Sequence, residues 1–460
     1  MNPIEELKLI VPADAIKTDS DSLEEYAKDW TTYFDPKASA VVFPGTIEQV
    51  QKIVFWARKN KIALVPSGGR TGLSGAAVAH KGEVVVSFDK MNVIRDFNSV
   101  DHTVVCEAGV ITENLQKFAH DKNLFYPVDF AARGSSQLGG NIATNAGGIK
   151  VLRYGLTRDW VAGLKVVTGN GDILDLNRAL VKNATGYDLR HLMIGSEGTL
   201  GFIVEATMRL APPPPPLKVL VLATSGLDAI MNVFAEFKRK TTLTAFEMFS
   251  DKALKHVLAQ GHVSKPFETD APFYVLAEVE CSNEKEEENI LSVFESCVAA
   301  KWVVDGVLSQ SETQAKNFWR LREDISEALS SHSPYKNDIS VRISEVPGFM
   351  QELDQILNRE YPNFEVVWFG HVGDGNLHIN ILRPRALTKE AFVQECRKVD
   401  SMIFGAIKNH GGSISAEHGV GLTKKSFLPM SRSPQEILIM KAIKKVLDPD
   451  GIINPGKIFD

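Results

Sequence analysis

The sequence predicts an α+β protein in two main parts with a short closing segment, and three observations carry that prediction. Glycine-rich loops adjoin short apolar strands at three places in the first half of the chain, around 67–75, 134–148 and 195–201. Five consecutive prolines, Pro212 to Pro216, then form a stiff polyproline II segment that continues neither a sheet nor a helix, and the first domain is expected to end there. Beyond it, strand-like and helix-like stretches alternate towards a glycine-rich hairpin, the pattern of an antiparallel sheet with helices on one face. The expected divisions are 1–215, 216–425 and 426–460.

A chain of 460 residues exceeds one simple core and fits two or three domains. The net charge of -6 and the pI near 6.0 argue against a nucleic-acid partner. Cys106, Cys281, Cys297 and Cys396 form no CxxC pair, which reads as reduced buried thiols rather than a disulfide or zinc-thiolate frame. No secretory signal is visible, and no apolar run reaches the roughly 18 residues that span a bilayer. A cytoplasmic, non-membrane protein is expected.

Taken in order, residues 20–34 carry Leu23, Tyr26 and Trp30 at helical spacing behind a Ser20 or Ser22 cap. Ala38 to Val42 reads as a strand, Thr46 to Lys59 as a helix with apolar Ile47, Val50, Ile53, Val54 and Trp56, and Ile62 to Pro66 as a second strand. That strand runs into Ser67-Gly68-Gly69-Arg70-Thr71-Gly72-Leu73-Ser74-Gly75. Such a loop lets backbone N–H groups approach phosphate closely. It matches neither a Walker loop nor GxGxxG, and taken alone a tight structural turn reads nearly as well. The second cluster, Gly134 to Gly148, interleaves small residues with hydroxyls and amides and fits against something flat and polar. Val161 to Thr168 and Ile173 to Leu176 flank Asn170-Gly171 as a hairpin.

In the second part, Lys218 to Ala223, Leu243 to Phe249 and Phe273 to Val279 read as extended, and Leu227 to Lys238 and Glu284 to Ala300 as helices. Phe318 to Leu329 reads as one helix, with Arg322 and Ser326 four apart on one face. Lys336 falls in a short loop before a strand from Ile339 to Ile343.

The chemistry concentrates between Val366 and Leu382. Asp374-Gly375 favours a two-residue type I′ turn, which would set His371 opposite His378 and Phe369 opposite Asn380. Opposed side chains have Cβ atoms roughly 5 Å apart, close enough for two imidazoles to share a metal ion. Glu417-His418-Gly419 can add a carboxylate ligand and a base. The alternative is a glycine-rich hairpin with two solvent-exposed histidines.

Six motifs occur in order: PSGGRTGLSGA (66–76), LGGNIATNAGG (138–148), GSEGTLGFIVE (195–205), GHVGDGNLHIN (370–380), AEHGVG (416–421) and LDPDGIINPGKIF (447–459). Together they closely resemble the flavoprotein family of vanillyl-alcohol oxidase and p-cresol methylhydroxylase, in its branch of D-2-hydroxyacid dehydrogenases acting on D-lactate, glycolate or D-2-hydroxyglutarate. The resemblance implies a two-part FAD-binding domain of the vanillyl-alcohol oxidase type, an antiparallel-sheet substrate domain covered by helices, and a C-terminal segment returning to the flavin site. It implies that Pro66, Ser67, Gly68, Gly69, Arg70, Thr71, Gly72 and Ser74 wrap the pyrophosphate, and that Asp129, Ser136, Gly140, Asn141, Thr144 and Ala146 line the flavin. Glu197 and Ile203 would meet the adenine side, and Asn454 would return from the C-terminus. Relatives with covalent flavin carry a histidine in the first loop; Arg70 stands there in this chain, so the FAD is expected to be dissociable.

In that branch the residues matching His371, His378 and Glu417 bind a divalent metal of the zinc type, which would chelate the substrate's 2-hydroxyl and carboxylate. His418 matches the family's general base, and an imidazole, with its ordinary pKa of about 6.5, suits that task at neutral pH. It would take the hydroxyl proton while C2 delivers hydride to flavin N5. Arg322, Ser326 and Lys336 match positions that hold a distal carboxylate in the D-2-hydroxyglutarate subgroup, with Ser326 in place of the usual threonine; Asn380 adds a hydrogen-bond donor. The competing fate for Arg322 is a surface ion pair with Glu323, Asp324 or Glu327. The expected activity is oxidation of D-2-hydroxyglutarate to 2-oxoglutarate, with electrons passed to an electron-transfer flavoprotein or a quinone-linked acceptor. D-lactate or D-malate oxidation is the first alternative and a group-transfer flavoprotein the second. A homodimer is compatible with the sequence.

Overall fold

Apolar runs too short for long helices, bounded by glycine or proline, condense into three β-sheets. The computed structural model describes residues 3–31 and 33–460. The chain forms two compact units: residues up to Gly147, Gly155–Pro213 and Glu417–Asp460 make one, and Gly148–Tyr154 with Pro214–Ala416 the other. The chain passes between units inside the proline run, at Pro213/Pro214, against an expected 215/216. The C-terminal return begins at Glu417, against an expected 426. The excursion of 148–154 into the second unit has no signal in the sequence.

In the first unit, β1 (Ile16–Lys17), β2 (Ala38–Val42), β3 (Leu64–Ser67) and β4 (Glu83–Ser87) form a sheet of order β1-β2-β4-β3, parallel except at β1. All of β4 is buried, as a strand covered on both faces must be, which its run of three valines provides. Helix Ile47–Asn60 starts where Thr46 Oγ1 accepts the Gln49 N–H at 3.2 Å and buries Val50, Ile53, Val54, Trp56 and Ala57. The helix before it spans only Ser20–Tyr26, and its cap is Asp19, which accepts the Ser22 N–H at 2.9 Å, rather than Ser20 or Ser22. Trp30 lies beyond that helix and is exposed.

The second sheet of this unit holds β5 (Ile94–Asn98), β6 (Thr103–Glu107), β7 (Val161–Thr168), β8 (Ile173–Leu176) and β9 (Gly201–Arg209) in the antiparallel order β5-β6-β9-β7-β8. The expected hairpin is β7–β8, with Val167 opposite Ile173 and Gly171 at φ +87°. Val167, Phe202 and Val204 from this sheet pack with Val84 to Val86 of the other, so the two sheets share a core.

The second unit is built on a seven-stranded antiparallel sheet. Its strands are β10 (Leu217–Thr224), β11 (Leu243–Ser250), β12 (Phe273–Glu280), β13 (Val303–Leu308), β14 (Tyr335–Ser340), β15 (Val366–Gly370) and β16 (Asn376–Ile381), in the order β13-β10-β12-β11-β15-β16-β14. Helices cover both faces rather than one. Phe234 of helix Leu227–Lys240 packs its ring 5.0 Å from that of Phe246 on one face. On the other, Phe249 and Tyr274 join Leu254, Phe318 and Leu321 from helices Asp251–Leu258 and Glu312–Glu323 in one apolar cluster.

The stretch 318–329 is not one helix: Glu312–Glu323 ends at Asp324 and a separate turn, Ile325–Ala328, follows. Arg322 is buried and Ser326 exposed, so they do not share a face. Lys336 lies within β14, paired with Asn380, not in a loop. The hairpin register is shifted as well: Phe369, not His371, stands opposite His378. A Cβ at Gly370 would overlap the Asn376 carbonyl oxygen, and Gly375 takes φ +86°, so the strands end early and residues 371–375 form a longer loop.

Candidate active site

The alternation of a β-strand puts Lys336 and Asp338 of β14, Phe369 of β15, and His378 and Asn380 of β16 on one face of the second unit's sheet, together with Glu247 of β11. The loop after β15 brings His371 to the same place by its own path. The two imidazole centroids are 5.4 Å apart, nearly perpendicular, and each offers a nitrogen within 4.8 Å of the other. His371 is buried and His378 half-buried, so the alternative of two solvent-exposed histidines does not hold.

Each imidazole is backed by a buried carboxylate at Nδ1. His371 Nδ1 is 2.8 Å from Glu247 Oε1, and His378 Nδ1 is 3.6 Å from Asp338 Oδ1. Asp338 is itself fixed by Asn376 Nδ2 at 2.8 Å. At His371 the hydrogen-bonded carboxylate favours the tautomer with its proton on Nδ1 and its lone pair on Nε2, the usual outer shell of a histidine metal ligand, whereas the His378 separation is that of an ion pair, beyond hydrogen-bond length. Burial pushes the Glu247 carboxyl up, but His371 and Arg322 together outweigh it and hold the group below its ordinary range.

Glu247 also pairs with Arg322, whose Nε lies 2.9 Å from Oε2. The guanidinium stacks 4.8 Å over the Phe369 ring; its Nε meets Oε2 as an ion pair without hydrogen-bond geometry, and both Nε and Nη2 are buried with no hydrogen-bond partner among the described residues. The partner of Arg322 is thus a buried glutamate from a distant strand, not Glu323, Asp324 or Glu327. Lys336 reaches solvent, yet the protein around its ammonium lowers its pKa, and no acid among the described residues pairs with it. Asn380 is buried opposite it. An ammonium without an acidic partner and an orphaned guanidinium nitrogen, both on the sheet face that carries Phe369, suit an anionic group.

Sequence reasoning passed over Glu247 and Asp338. The signal for Glu247 was present: it is the one charge in the strand LTAFEMFS, every residue of which is buried.

Glu417 and His418 head the C-terminal return of the first unit, directly after Ala416, and offer ligand atoms within 4.8 Å of each other. The segment that follows is held from inside. The fully buried Glu197 accepts the N–H groups of Val420 at 2.7 Å and Gly421 at 2.8 Å. Ser74 O accepts those of Leu422 and Thr423. Glu197, expected to meet the adenine side of FAD, thus spends its carboxylate on this loop.

Burial raises the Glu197 carboxyl to about 7, against the two N–H donors that favour its charged form. A carboxyl whose folded pKa lies above its unfolded value stabilises the fold most at pH below about 4.3 and loses that contribution as pH rises towards 7. Wild-type protein should therefore lose about 3 kcal/mol of stability through this group between pH 4.5 and 7.5. Glu197→Gln should lack that slope in melting temperature against pH. Parallel profiles for the two proteins would contradict the assignment.

The other residues expected at the flavin gather in the first unit. Pro66 and Ser67 close β3, and the glycine loop that follows touches the second cluster so closely that a Cβ at Gly69 would overlap the Ser135 carbonyl oxygen. Arg70 adopts φ +58° and lays its guanidinium 4.1 Å over Tyr26. Asn454 donates to Ala76 O at 2.9 Å and Glu197 O at 2.8 Å, joining the C-terminus to this loop. Several expected side chains are engaged internally. Ser136 and Asn141 bond Thr112, Thr144 bonds Gly140 O, Asp129 pairs with Arg133 at 2.7 Å, and Ile203 packs into the core. Ser67 Oγ, Ser74 Oγ and Gln137 Oε1 remain buried without partners among the described residues, and a Cβ at Gly140 would meet nothing. Orphaned polar atoms around an open glycine fit a polar, phosphate-bearing cofactor such as FAD.

Two family models match: an FAD binding domain over residues 38–177, and the C-terminal domain of FAD linked oxidases over residues 213–458. The chain belongs to the FAD-linked oxidase family. Among its curated relatives, a D-2-hydroxyglutarate dehydrogenase of Stutzerimonas stutzeri is 61% identical over 99% of this chain and 98% of its own length. One of Xanthomonas citri pv. viticola is 54% identical over 99% and 96%, and the mitochondrial one of Arabidopsis thaliana 36% over 98% and 80%. Solved structures of p-cresol methylhydroxylase (TM-score 0.78, 16% identity, 100% of this chain and 96% of that one) and of alkyldihydroxyacetonephosphate synthase (TM-score 0.74, 17%, 98% and 84%) share the fold. No helix among the described residues is long and apolar enough to cross a membrane.

Proposed function

We propose that this chain oxidises D-2-hydroxyglutarate to 2-oxoglutarate, using FAD and a divalent metal of the zinc type held by His371, His378 and Glu417. The observation that carries the reading is the pair of neighbouring histidines, His371 hydrogen-bonded at Nδ1 to the buried Glu247 and His378 with the buried Asp338 3.6 Å from its Nδ1, on a sheet face that also bears an unpaired lysine. The similarity to D-2-hydroxyglutarate dehydrogenases of high identity supports the same substrate. The metal supplies a Lewis acid that lowers the pKa of the 2-hydroxyl. FAD supplies the two-electron acceptor. His418 takes the hydroxyl proton, and Asn380 hydrogen-bonds the substrate. Lys336 and the free face of Arg322 hold the distal carboxylate. The electrons leave to an electron-transfer flavoprotein or a quinone-linked carrier.

A second reading, a dehydrogenase for a shorter D-2-hydroxyacid such as D-lactate or D-malate, is favoured by the commitment of Arg322 to Glu247 and by the exposure of Ser326. Both features leave Lys336 as the main distal anchor. Lys336→Ala separates the two. A charge-assisted hydrogen bond is worth about 1.5–3 kcal/mol, so its loss should raise KM for D-2-hydroxyglutarate roughly 10- to 100-fold while leaving KM for D-lactate nearly unchanged. Equal effects on both substrates would remove Lys336 from the distal site and favour the second reading.

A further inference from the structure

Glu247 stands in the middle of a strand whose other residues, among them Phe246, Met248 and Phe249, form the core of the second unit, and its carboxylate is almost wholly buried. Burying a charge there is a poor source of stability: an apolar side chain of similar volume commonly serves as well or better. What the carboxylate does provide is geometry. Oε1 is 2.8 Å from His371 Nδ1, and Oε2 is 2.9 Å from Arg322 Nε. One rigid carboxylate, hydrogen-bonded to the imidazole through Oε1 and ion-paired with the guanidinium through Oε2, therefore sets the rotation of an imidazole on the hairpin loop and the place of a guanidinium on helix Glu312–Glu323. The imidazole is left with Nε2 facing away from Glu247, and the guanidinium with its orphaned Nη2.

We propose that Glu247 is a positioning residue that couples the two ends of the substrate site. Through His371 it sets the metal, where the hydroxyl and carboxyl of the substrate bind, and through Arg322 it sets the anchor for a second carboxylate. The proposal rests on the function given above. It makes metal affinity and preference for dicarboxylates depend on one side chain that touches neither metal nor substrate. A carboxylate can serve both donors at once. An amide cannot, because it carries no charge to pair with the guanidinium and one of its two ends presents N–H groups instead of an acceptor.

The test is Glu247→Gln in the FAD-loaded protein, read first by zinc affinity in competition with a chromogenic chelator and then by KM for D-2-hydroxyglutarate and D-lactate. Loss of a histidine ligand's outer-shell partner typically costs 10- to 100-fold in metal affinity, and that weakening is expected here. KM at saturating zinc should rise for D-2-hydroxyglutarate by about tenfold more than for D-lactate, at unchanged FAD content. A variant that only melts earlier, with zinc affinity and the KM ratio of the wild type, overturns the proposal. Should the variant fail to fold, the wild type still decides. In zinc-loaded protein labelled with 15N-histidine, with the His371 signals assigned through His371→Gln, Nδ1 must carry the proton and Nε2 the metal. Metal on Nδ1 overturns the proposal. Absence of any His371-dependent zinc site in the wild type overturns the proposed function itself, and this inference with it.

Discussion

Glu417→Gln should leave FAD bound at full stoichiometry and strip the divalent metal. The carboxylate is the only anionic member of the proposed ligand set, and an amide replaces it with a neutral, weaker donor for a divalent ion. Loss of an outer-shell partner alone costs 10- to 100-fold in affinity, so loss of this first-sphere ligand should cost at least about a hundredfold. Turnover should fall with it, since the proposed role of the metal is to acidify the 2-hydroxyl. FAD should stay, since the residues expected to hold it lie in the glycine clusters and around Asn454, joined by their own contacts. Metal analysis beside the flavin spectrum checks both halves, and unchanged metal content would contradict the ligand assignment.

His418→Ala has the second large effect, with the opposite signature. The imidazole is adjacent to the proposed ligand Glu417 and half-buried, and its proposed task is to accept the hydroxyl proton. Removal of a general base costs about 10²- to 10⁴-fold, roughly 3–5 kcal/mol in the barrier. Metal and FAD content should both remain at wild-type levels. The reading is stopped-flow reduction of the flavin at saturating substrate; wild-type rates would rule out His418 as the base. The two variants together separate metal from base: one loses metal, the other loses rate with the metal in place.

Much of this was legible in the sequence because it is local chemistry. Glycines that permit close backbone approach, a proline run that stops both helix and sheet, and a histidine-rich hairpin are each written in neighbouring residues. What stayed hidden was the set of non-local choices. The hairpin register depended on Gly370 meeting the Asn376 carbonyl and on the positive φ of Gly375, so Phe369 rather than His371 came to face His378. The two histidines still met, since a longer loop reaches the same place. The helix over 318–329 broke at Asp324 although the residues on either side can continue a helix, and the break left Arg322 inside and Ser326 outside. Arg322 found Glu247 on a strand of the sheet that its helix covers, a partner that no helical spacing points to. Glu197, expected at the cofactor, also holds the backbone of Val420 and Gly421, a contact 223 and 224 residues away along the chain that no local pattern announces.

The measurement that bears most directly on the central claim is anaerobic bleaching of the flavin absorbance by D-2-hydroxyglutarate, D-malate and D-lactate, each with and without prior EDTA treatment. The account predicts fast bleaching by D-2-hydroxyglutarate, slower bleaching by D-lactate, and loss of both after EDTA with recovery on adding zinc. Bleaching that survives EDTA would contradict the metal's role, and bleaching by D-lactate alone would contradict the distal-carboxylate site at Lys336 and Arg322.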